Sequence, residues 1–500
     1  MTHKHPDLAW LLLGLALVLL MPSTQSLWID EGFAAKYAEE ASLGGFASRL
    51  MSDQGSEALM PLGMYGTWLG AKFLGQSELG LRAVSALWAG LAVFLTWRAG
   101  QLVGAAWLGA LIACHSLLWY HGGEVRPYAM AMAMGAGLLC AFVATLNGGA
   151  RTDAGVRALL VFGPLLCGTY VLGCVPFAAV AGVLAVVLVS RRWRPTPGLL
   201  AIGAASVCAL ALLGLYYAVV LDRGADVNVR PGGIGLGSIL YSGFELLGFD
   251  GFGPGRYELR QASAAGGIGG ALAAFTLPGM CGVVVLGLLY FWVLLRFVMR
   301  LRSGQIGADA VAIGAALVVV VTLGGMYAVC LVSGSTFWGR HVSPLLPFVV
   351  LAAGVAAAPA DSDGRRPLNA TAGVLGLALL ASALLMRFGA DHRRDDYRGA
   401  ARIARAAVAQ GKTVWWTANA ETAGYYGVTL CARGLPATAS CVVDAAYWLP
   451  GQLGSLPQPQ LIVLSKPLFH DAAGAVQGYI GANQFRLSAR LPLFEVYEAP

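Results

Sequence analysis

Asp30 and Glu31 follow directly on an apolar run, in Leu27-Trp28-Ile29-Asp30-Glu31-Gly32. Two adjacent acids at a membrane boundary repel each other and are costly to desolvate. A carboxylate there can hold a raised pKa and act as a general base. The plainer reading is a helix start, where the dipole favours acids. Glu124 and Arg126 sit in Glu124-Val125-Arg126-Pro127-Tyr128, in a very short link between two apolar runs. They are either site residues or a local ion pair stapling two helix ends. Arg82 begins one apolar run, and Arg340-His341 enters another. For these the plainer reading is a side chain snorkelling to the interface. The combination says more than any member. Acids (Asp30, Glu31, Glu124) and bases (Arg82, Arg126, Arg340, His341) all reach one membrane face. Such a set suits an anionic lipid head group beside a hydroxyl to be deprotonated.

The elements that must position these residues are membrane helices. The 500 residues are 57% hydrophobic and 12% charged, whereas a soluble domain is about 25% charged. That excludes a soluble globular enzyme, a disordered chain and a nucleic-acid binder, and requires a polytopic membrane protein. Apolar runs at about 8–24, 83–101, 105–120, 127–146, 157–171, 173–190, 198–220, 272–296, 310–332, 342–359 and 369–387 predict about eleven crossings. The first has no small-residue cleavage site and is read as a retained helix. Residues 157–190 could form one long tilted helix, but Gly168, Gly173 and Pro176 favour a break.

Charge placement orients these crossings. With a cytoplasmic N-terminus, the short cytoplasmic segments hold twelve Lys and Arg against four acids, and the longer outer loops hold ten against thirteen. This is the positive-inside pattern. It also accounts for the net charge of +7 without an anionic macromolecular partner. Two outer loops are long, at about 25–82 and 221–270. In the first, Phe33, Tyr37, Leu43, Phe46 and Leu50 interleave with Lys36, Glu39, Glu40 and Arg49, predicting a helix on the membrane surface. A second short helix is predicted over 62–73. The Gly- and Pro-rich 221–270 loop reads as irregular and mobile. Residues 1–387 thus form a transmembrane domain, and 388–500 read as a small extracytoplasmic α/β domain. Its helices are expected at 395–410, 421–426 and 472–479, and its strands at 413–416, 460–465 and 491–497. Cys431 and Cys441 lie on the oxidising side and are predicted to form a disulfide. The other seven cysteines read as small hydrophobes in apolar runs.

At this point the residues match a family. Trp28-Ile29-Asp30-Glu31-Gly32-Phe33, Gly75-Gln76-Ser77-Glu78-Leu79-Gly80-Leu81-Arg82 and Glu124-Val125-Arg126-Pro127-Tyr128-Ala129 together resemble the integral-membrane GT-C glycosyltransferases. The closer branch holds the protein O-mannosyltransferases and the lipid A aminoarabinose transferases. Arg340-His341-Val342-Ser343-Pro344-Leu345-Leu346-Pro347 resembles that branch's Arg-Tyr/His-x-x-Pro-x-x-Pro segment, and Asp395-Asp396-Tyr397-Arg398-Gly399 the start of its C-terminal domain. The motifs span nearly the whole chain in order. One departs: relatives carry Asp-x-His-Pro-Pro-Leu in the first loop, where this chain reads Asp53-Gln54-Gly55-Ser56-Glu57-Ala58-Leu59-Met60-Pro61-Leu62 and lacks the His.

The resemblance implies a GT-C fold and transfer of a sugar from a polyprenyl-phosphate donor to a hydroxyl of a lipid, glycan or protein, with inversion, at the outer face of a bacterial inner membrane. Asp30 would be the base, with Glu31 and Glu124 as supporting acids. Arg82, Arg126, Arg340 and His341 would hold the donor phosphate, and Tyr128 and Lys36 would line the substrate pocket. A divalent metal held by Asp30, Glu31 or Glu124 is left open, since metal use varies among relatives. Two other readings stand beside this one. A transporter or flippase of lipid-linked sugars would place charges or broken helices near the midplane or show repeats; neither is visible. A glycan polymerase or ligase is disfavoured by the acidic pair directly after the first span.

Overall fold

The computed structural model describes residues 5–53, 55–224, 235–302, 306–335, 337–431 and 442–500. The chain forms two compact units. One comprises Met1–Pro22, Glu40–Gly75 and Leu79–His392; the other comprises Ser23–Glu39, Gln76–Glu78 and Arg393–Pro500.

The first unit is helical. Among the described residues, eight helices are long and apolar enough to cross a membrane, from Glu78–Leu102 to Ala370–Phe388. The sequence predicts about eleven runs, and the difference lies in three of them. The helix His5–Val18 has 14 residues, about 21 Å at 1.5 Å per residue, against the roughly 30 Å of a hydrocarbon core. The run at 105–120 is broken into helices Leu108–Ala113 and Ser116–Gly122. At the break, His115 is extended and its ring accepts from the Leu117 N–H. The run at 157–171 lies in helix Arg151–Thr169, which begins among Arg151, Asp153 and Arg157. That helix and Cys174–Ser190 are separate, parted where Tyr170 turns extended (φ −164°, ψ 149°). A Cβ at Gly173 would lie 2.4 Å from the Leu166 carbonyl oxygen, so the break requires a residue without one.

Helix Tyr128–Asn147 is buried along nearly its whole length. It packs against Arg151–Thr169, Cys174–Ser190, Leu346–Ala357 and the 3₁₀ segment Gly339–Leu345. Small residues permit this. A Cβ on Gly135 would meet the Pro344 carbonyl oxygen at 2.2 Å, and one on Gly137 would enter the Phe162 ring. Backbones approach this closely where van der Waals packing drives helix association. The consequence is positional: the segment carrying Arg340 and His341 is pressed onto the helix that begins at Tyr128.

The 221–270 loop, expected to be irregular, contains helices Leu236–Leu246 and Arg256–Ala273. The latter is kinked at Gly266 and Gly267. The apolar spacing of Leu236, Ile239, Leu240 and Phe244 decides the first helix over its glycines. Residues 225–234 lie outside the described residues.

The second unit is α/β. Strands β1 (Val414–Thr417), β2 (Val443–Asp444), β3 (Leu461–Ser465), β4 (Arg486–Leu491) and β5 (Phe494–Glu498) form one sheet in the order β2-β1-β3-β5-β4. β1 runs parallel to β2 and β3, and β5 runs antiparallel to β3 and β4. The central strands β1 and β3 are buried throughout, so both faces are covered. One face packs Trp416, Val463, Phe494 and the alanines of helix Tyr397–Ala409; the other packs Trp415, Ile462, Leu464 and Ile480. The single final strand predicted at 491–497 is a hairpin of β4 and β5, and the two-residue β2 is too short to carry a sequence signal.

The surface helix predicted through Phe33 and Leu50 is two helices, Ile29–Glu39 and Leu43–Ser52, and they fall in different units. Ile29–Glu39 buries Gly32, Ala34, Ala35 and Ala38. It lies so close to helix Ala420–Tyr425 that a Cβ on Gly32 would meet Thr422 Oγ1 at 2.1 Å. A face of small residues has made it a packed helix of the α/β unit. Cys431 is disulfide-bonded; Cys441, its predicted partner, lies outside the described residues.

Candidate functional site

In the helical unit the site grows from the turn 123–127. Gly123 sits against the Met21 carbonyl, and Pro127 packs onto Gly63 of helix Pro61–Leu74. The second contact carries the 3₁₀ turn Ser56–Leu59 to Arg126, whose Nη1 donates to Glu57 Oε1 at 2.5 Å. Both side chains are buried, and such a charge pair is stable only when its members meet. The Tyr128 ring follows. The Arg126 guanidinium lies 6.0 Å from its centroid and that of Arg340 5.9 Å. The His121 ring lies at 4.9 Å and the His341 ring at 6.3 Å. His341 is held by its own segment: Nδ1 accepts from the Trp338 N–H at 3.1 Å, and its carbonyl accepts from Tyr170 Oη at 2.7 Å. Glu124 joins through His121, with Oε2 2.7 Å from Nδ1.

Tyr128 therefore gathers Arg126, Arg340 and His341 around one buried ring, with Glu124 one residue removed. Arg82 is fully buried in helix Glu78–Leu102 rather than snorkelling. The sequence reading did not single out Glu57 or His121. Glu57 stood in the stretch that departs from the family pattern, and His121 read as the end of an apolar helix.

The two helices of the 221–270 segment add a second charged group. Glu245 and Arg256 form an ion pair, and the Arg256 guanidinium stacks 3.7 Å from the Tyr120 ring centroid. Arg260 lies 5.0 Å from the Trp338 ring. Burial lowers the Arg260 pKa, and the charge of Arg340 lowers it further. Guanidinium groups held near one another repel, less so where, like Arg260, they are exposed to solvent, and an anion would relieve them. Asp250 is buried in the same segment and accepts from Ser116 Oγ. Burial, reinforced by Glu245, raises its pKa from 3.8 to about 7, against the opposing effects of Ser116 and Arg256.

Asp30, Glu31 and Lys36 belong to the α/β unit. Glu31 is fully buried; its Oε1 pairs with Arg394 Nη1 at 2.8 Å and its Oε2 accepts from the Trp28 N–H at 3.2 Å. Asp30 is half-buried. It raises the pKa of Asp395, where burial is the larger cause, and Lys466 opposes both from 2.7 Å. Lys466 Nζ also lies 5.6 Å from the Trp28 ring. Lys36 pairs with Glu39 at 3.5 Å. Among the described residues, no group of three or more His, Cys, Asp or Glu side chains is placed to hold a metal ion.

No protein-family model and no curated protein sequence matches the chain. Solved structures do. ArnT from Cupriavidus metallidurans in the apo state aligns over 98% of this chain and 97% of its own, at 14% identity and a TM-score of 0.53. The same protein bound to undecaprenyl phosphate aligns over 99% and 98%, at 13% identity and a TM-score of 0.52. The chain has this fold from end to end: a helical membrane unit followed by a small sheet unit.

Two stability predictions follow from the buried acids. Glu31→Gln replaces the buried carboxylate of the Arg394 ion pair by a neutral amide, which costs on the order of 3–5 kcal/mol. A thermal melt in detergent at pH 7 should show a marked loss, and an unchanged melt contradicts the internal pairing. Asp250 has a raised folded-state pKa, so it is protonated when folded and ionised when unfolded between about pH 4 and 7. Stability is lost as pH rises through that window, by up to roughly 4 kcal/mol at 1.36 kcal/mol per unit. Asp250→Asn cannot ionise and keeps an acceptor for Ser116. It should melt higher than wild type at pH 8 and equal to it at pH 4; an equal gain at both pH values contradicts the assignment.

Proposed function

We propose that the protein moves a sugar from a polyprenyl-phosphate carrier to an acceptor hydroxyl of a lipid, glycan or protein, with inversion at the anomeric carbon. The membrane would be the bacterial inner membrane, with the N-terminus cytoplasmic and residues 388–500 outside. The observation that carries this reading is the gathering of Arg126, Arg340 and His341 on the Tyr128 ring, with Arg260 close enough to feel Arg340. Cationic groups gathered around a buried aromatic ring match a phosphate on a lipid better than a neutral sugar. Support comes from the shared fold with ArnT, one structure of which holds undecaprenyl phosphate.

The chemistry sets two demands. A lipid phosphate is already a good leaving group, so the carrier side needs charge stabilisation as the sugar–phosphate bond breaks. Fixed guanidinium groups supply that without reorganising. Arg340 and Arg126 take this role, with Arg82 and His341 beside them in the assignment. The acceptor side needs a base to take the hydroxyl proton as oxygen attacks the anomeric carbon. Asp30 is assigned that role by its place in the Trp28–Phe33 motif. Glu31 is spent on Arg394 and Trp28, so it acts as a positioning residue at the start of the helix that carries Asp30. The resemblance assigns Lys36 of the α/β unit and Tyr128 of the helical unit to the substrate.

Purified protein incubated with a polyprenyl-phosphate sugar should release lipid phosphate in step with glycosylated acceptor. Asp30→Asn should slow transfer by about 10²–10⁴-fold with an unchanged thermal melt. Near-normal turnover in that variant removes Asp30 as the base. Uptake into vesicles without release of lipid phosphate makes the protein a transporter.

A further inference from the structure

His121 and Glu124 form a dyad that the proposed reaction, as assigned so far, leaves idle. His121 Nδ1 lies 2.7 Å from Glu124 Oε2, and each residue is 1% exposed. The carboxylate accepts the Nδ1 proton and so fixes the tautomer. The other ring nitrogen, Nε2, is buried and has no hydrogen-bond partner. An imidazole buried with one nitrogen clamped and the other unsatisfied costs free energy unless a ligand completes it. Its ring lies 4.9 Å from the Tyr128 ring, the same ring that Arg126 and Arg340 flank. Tyr128 Oη is also buried without a partner.

We infer that His121 is a further catalytic residue: Nε2 exchanges a proton with the phosphate of the lipid carrier, and Glu124 positions it. This rests on the transferase reading above. The step balances as follows. The bond between the anomeric carbon and the phosphate oxygen breaks, and its electron pair stays on that oxygen. The proton on Nε2 of the imidazolium passes to the departing phosphate, which leaves as the monoanion. The acceptor oxygen bonds to the anomeric carbon and its proton goes to the base. His121 then regains a proton from water. An imidazole and a phosphate monoester both gain and lose protons within the physiological pH range, which suits such an exchange.

The groups facing His121 fit this use. Burial lowers its pKa most; Glu124, by hydrogen bond and charge, and Glu245 raise it, and Arg256 lowers it. The Tyr120 and Tyr128 rings complete the surroundings. The empty site therefore favours the neutral ring, and an arriving phosphate supplies the negative charge that draws a proton onto Nε2.

The test measures affinity for undecaprenyl phosphate against pH, alongside transfer, in wild type and His121→Gln. Glutamine keeps a donor but does not titrate. Above the free-state pKa of His121, binding takes up a proton, so wild-type affinity falls as pH rises by up to about tenfold per unit. The ionisation of the carrier itself is common to both proteins and cancels in the ratio. The expected result is a ratio of wild-type to H121Q affinity that falls with pH, with transfer by H121Q slower by about 10²-fold or more. Parallel pH profiles overturn the inference, even if transfer is lost, since loss alone is what a structural role gives. Undiminished transfer overturns it too. If H121Q does not fold, Glu124→Gln, which releases the tautomer, is read by the same two criteria. A wild-type protein that binds the carrier and transfers sugar while its variants keep the wild-type profile refutes only the dyad. A wild-type protein that transfers nothing refutes both readings.

Discussion

A buried guanidinium group costs several kcal/mol unless it finds a counter-charge. The helical unit sets the buried Arg126 and the half-buried Arg340 on the ring of Tyr128, and Arg256 on that of Tyr120. Arg126 has Glu57 and Arg256 has Glu245, while the exposed Arg260 is repelled by Arg340. The Arg126–Glu57 pair ties together stretches far apart in sequence, and the Glu245–Arg256 pair joins the two helices of the 221–270 segment. Glu57 comes from the first long loop and Glu245 from the 221–270 segment; Arg340 enters on a 3₁₀ turn. Backbone approach makes the gathering possible. Gly135 lets the Pro344 carbonyl onto helix Tyr128–Asn147, and Gly63 lets Pro127 onto helix Pro61–Leu74. A methyl group at either glycine would push a charged segment away from Tyr128.

The α/β unit solves a different problem with the same physics. Its acids sit at the start of a helix whose small-residue face is pressed on Ala420–Tyr425. Glu31 is consumed by Arg394, and Asp395 by Lys466. Asp30 is left half-buried beside them, with the Asp395 carboxyl close enough to interact. Adjacent acids that look interchangeable in sequence thus have distinct environments: Glu31 is buried in an ion pair and Asp30 is half-buried. The separation follows from helix geometry. Neighbouring residues point about 100° apart, so one carboxylate enters the core while the next is only half-buried.

Much of this was visible before any coordinates. Glu124-Val125-Arg126-Pro127-Tyr128 and Arg340-His341 carried a signal because charged residues at the ends of apolar runs have few alternatives. The break near Tyr170 was announced by Gly168, Gly173 and Pro176. Other features depend on partners that sequence does not display. His121 ends a run of apolar residues, and only the turn that returns Glu124 to it reveals a dyad. Glu57 was hidden by a departure from the family pattern, and Arg256 and Arg260 by glycines that made their helix read as a loop. The helix Ile29–Glu39 scored as amphipathic, yet its small face needed Thr422 opposite to show that it packs inward. Two short apolar helices around His115 were read as one span, because hydropathy measures composition and not the backbone turn.

The central claim is that the ring of Tyr128 marks the seat of a lipid-linked phosphate. A structure of the protein with undecaprenyl phosphate tests it most directly. The account predicts phosphate density within hydrogen-bond reach of Arg340 and of His121 Nε2, with Arg126 held by Glu57 at its side. Phosphate bound elsewhere on the helical unit, with this cluster unchanged, would contradict it.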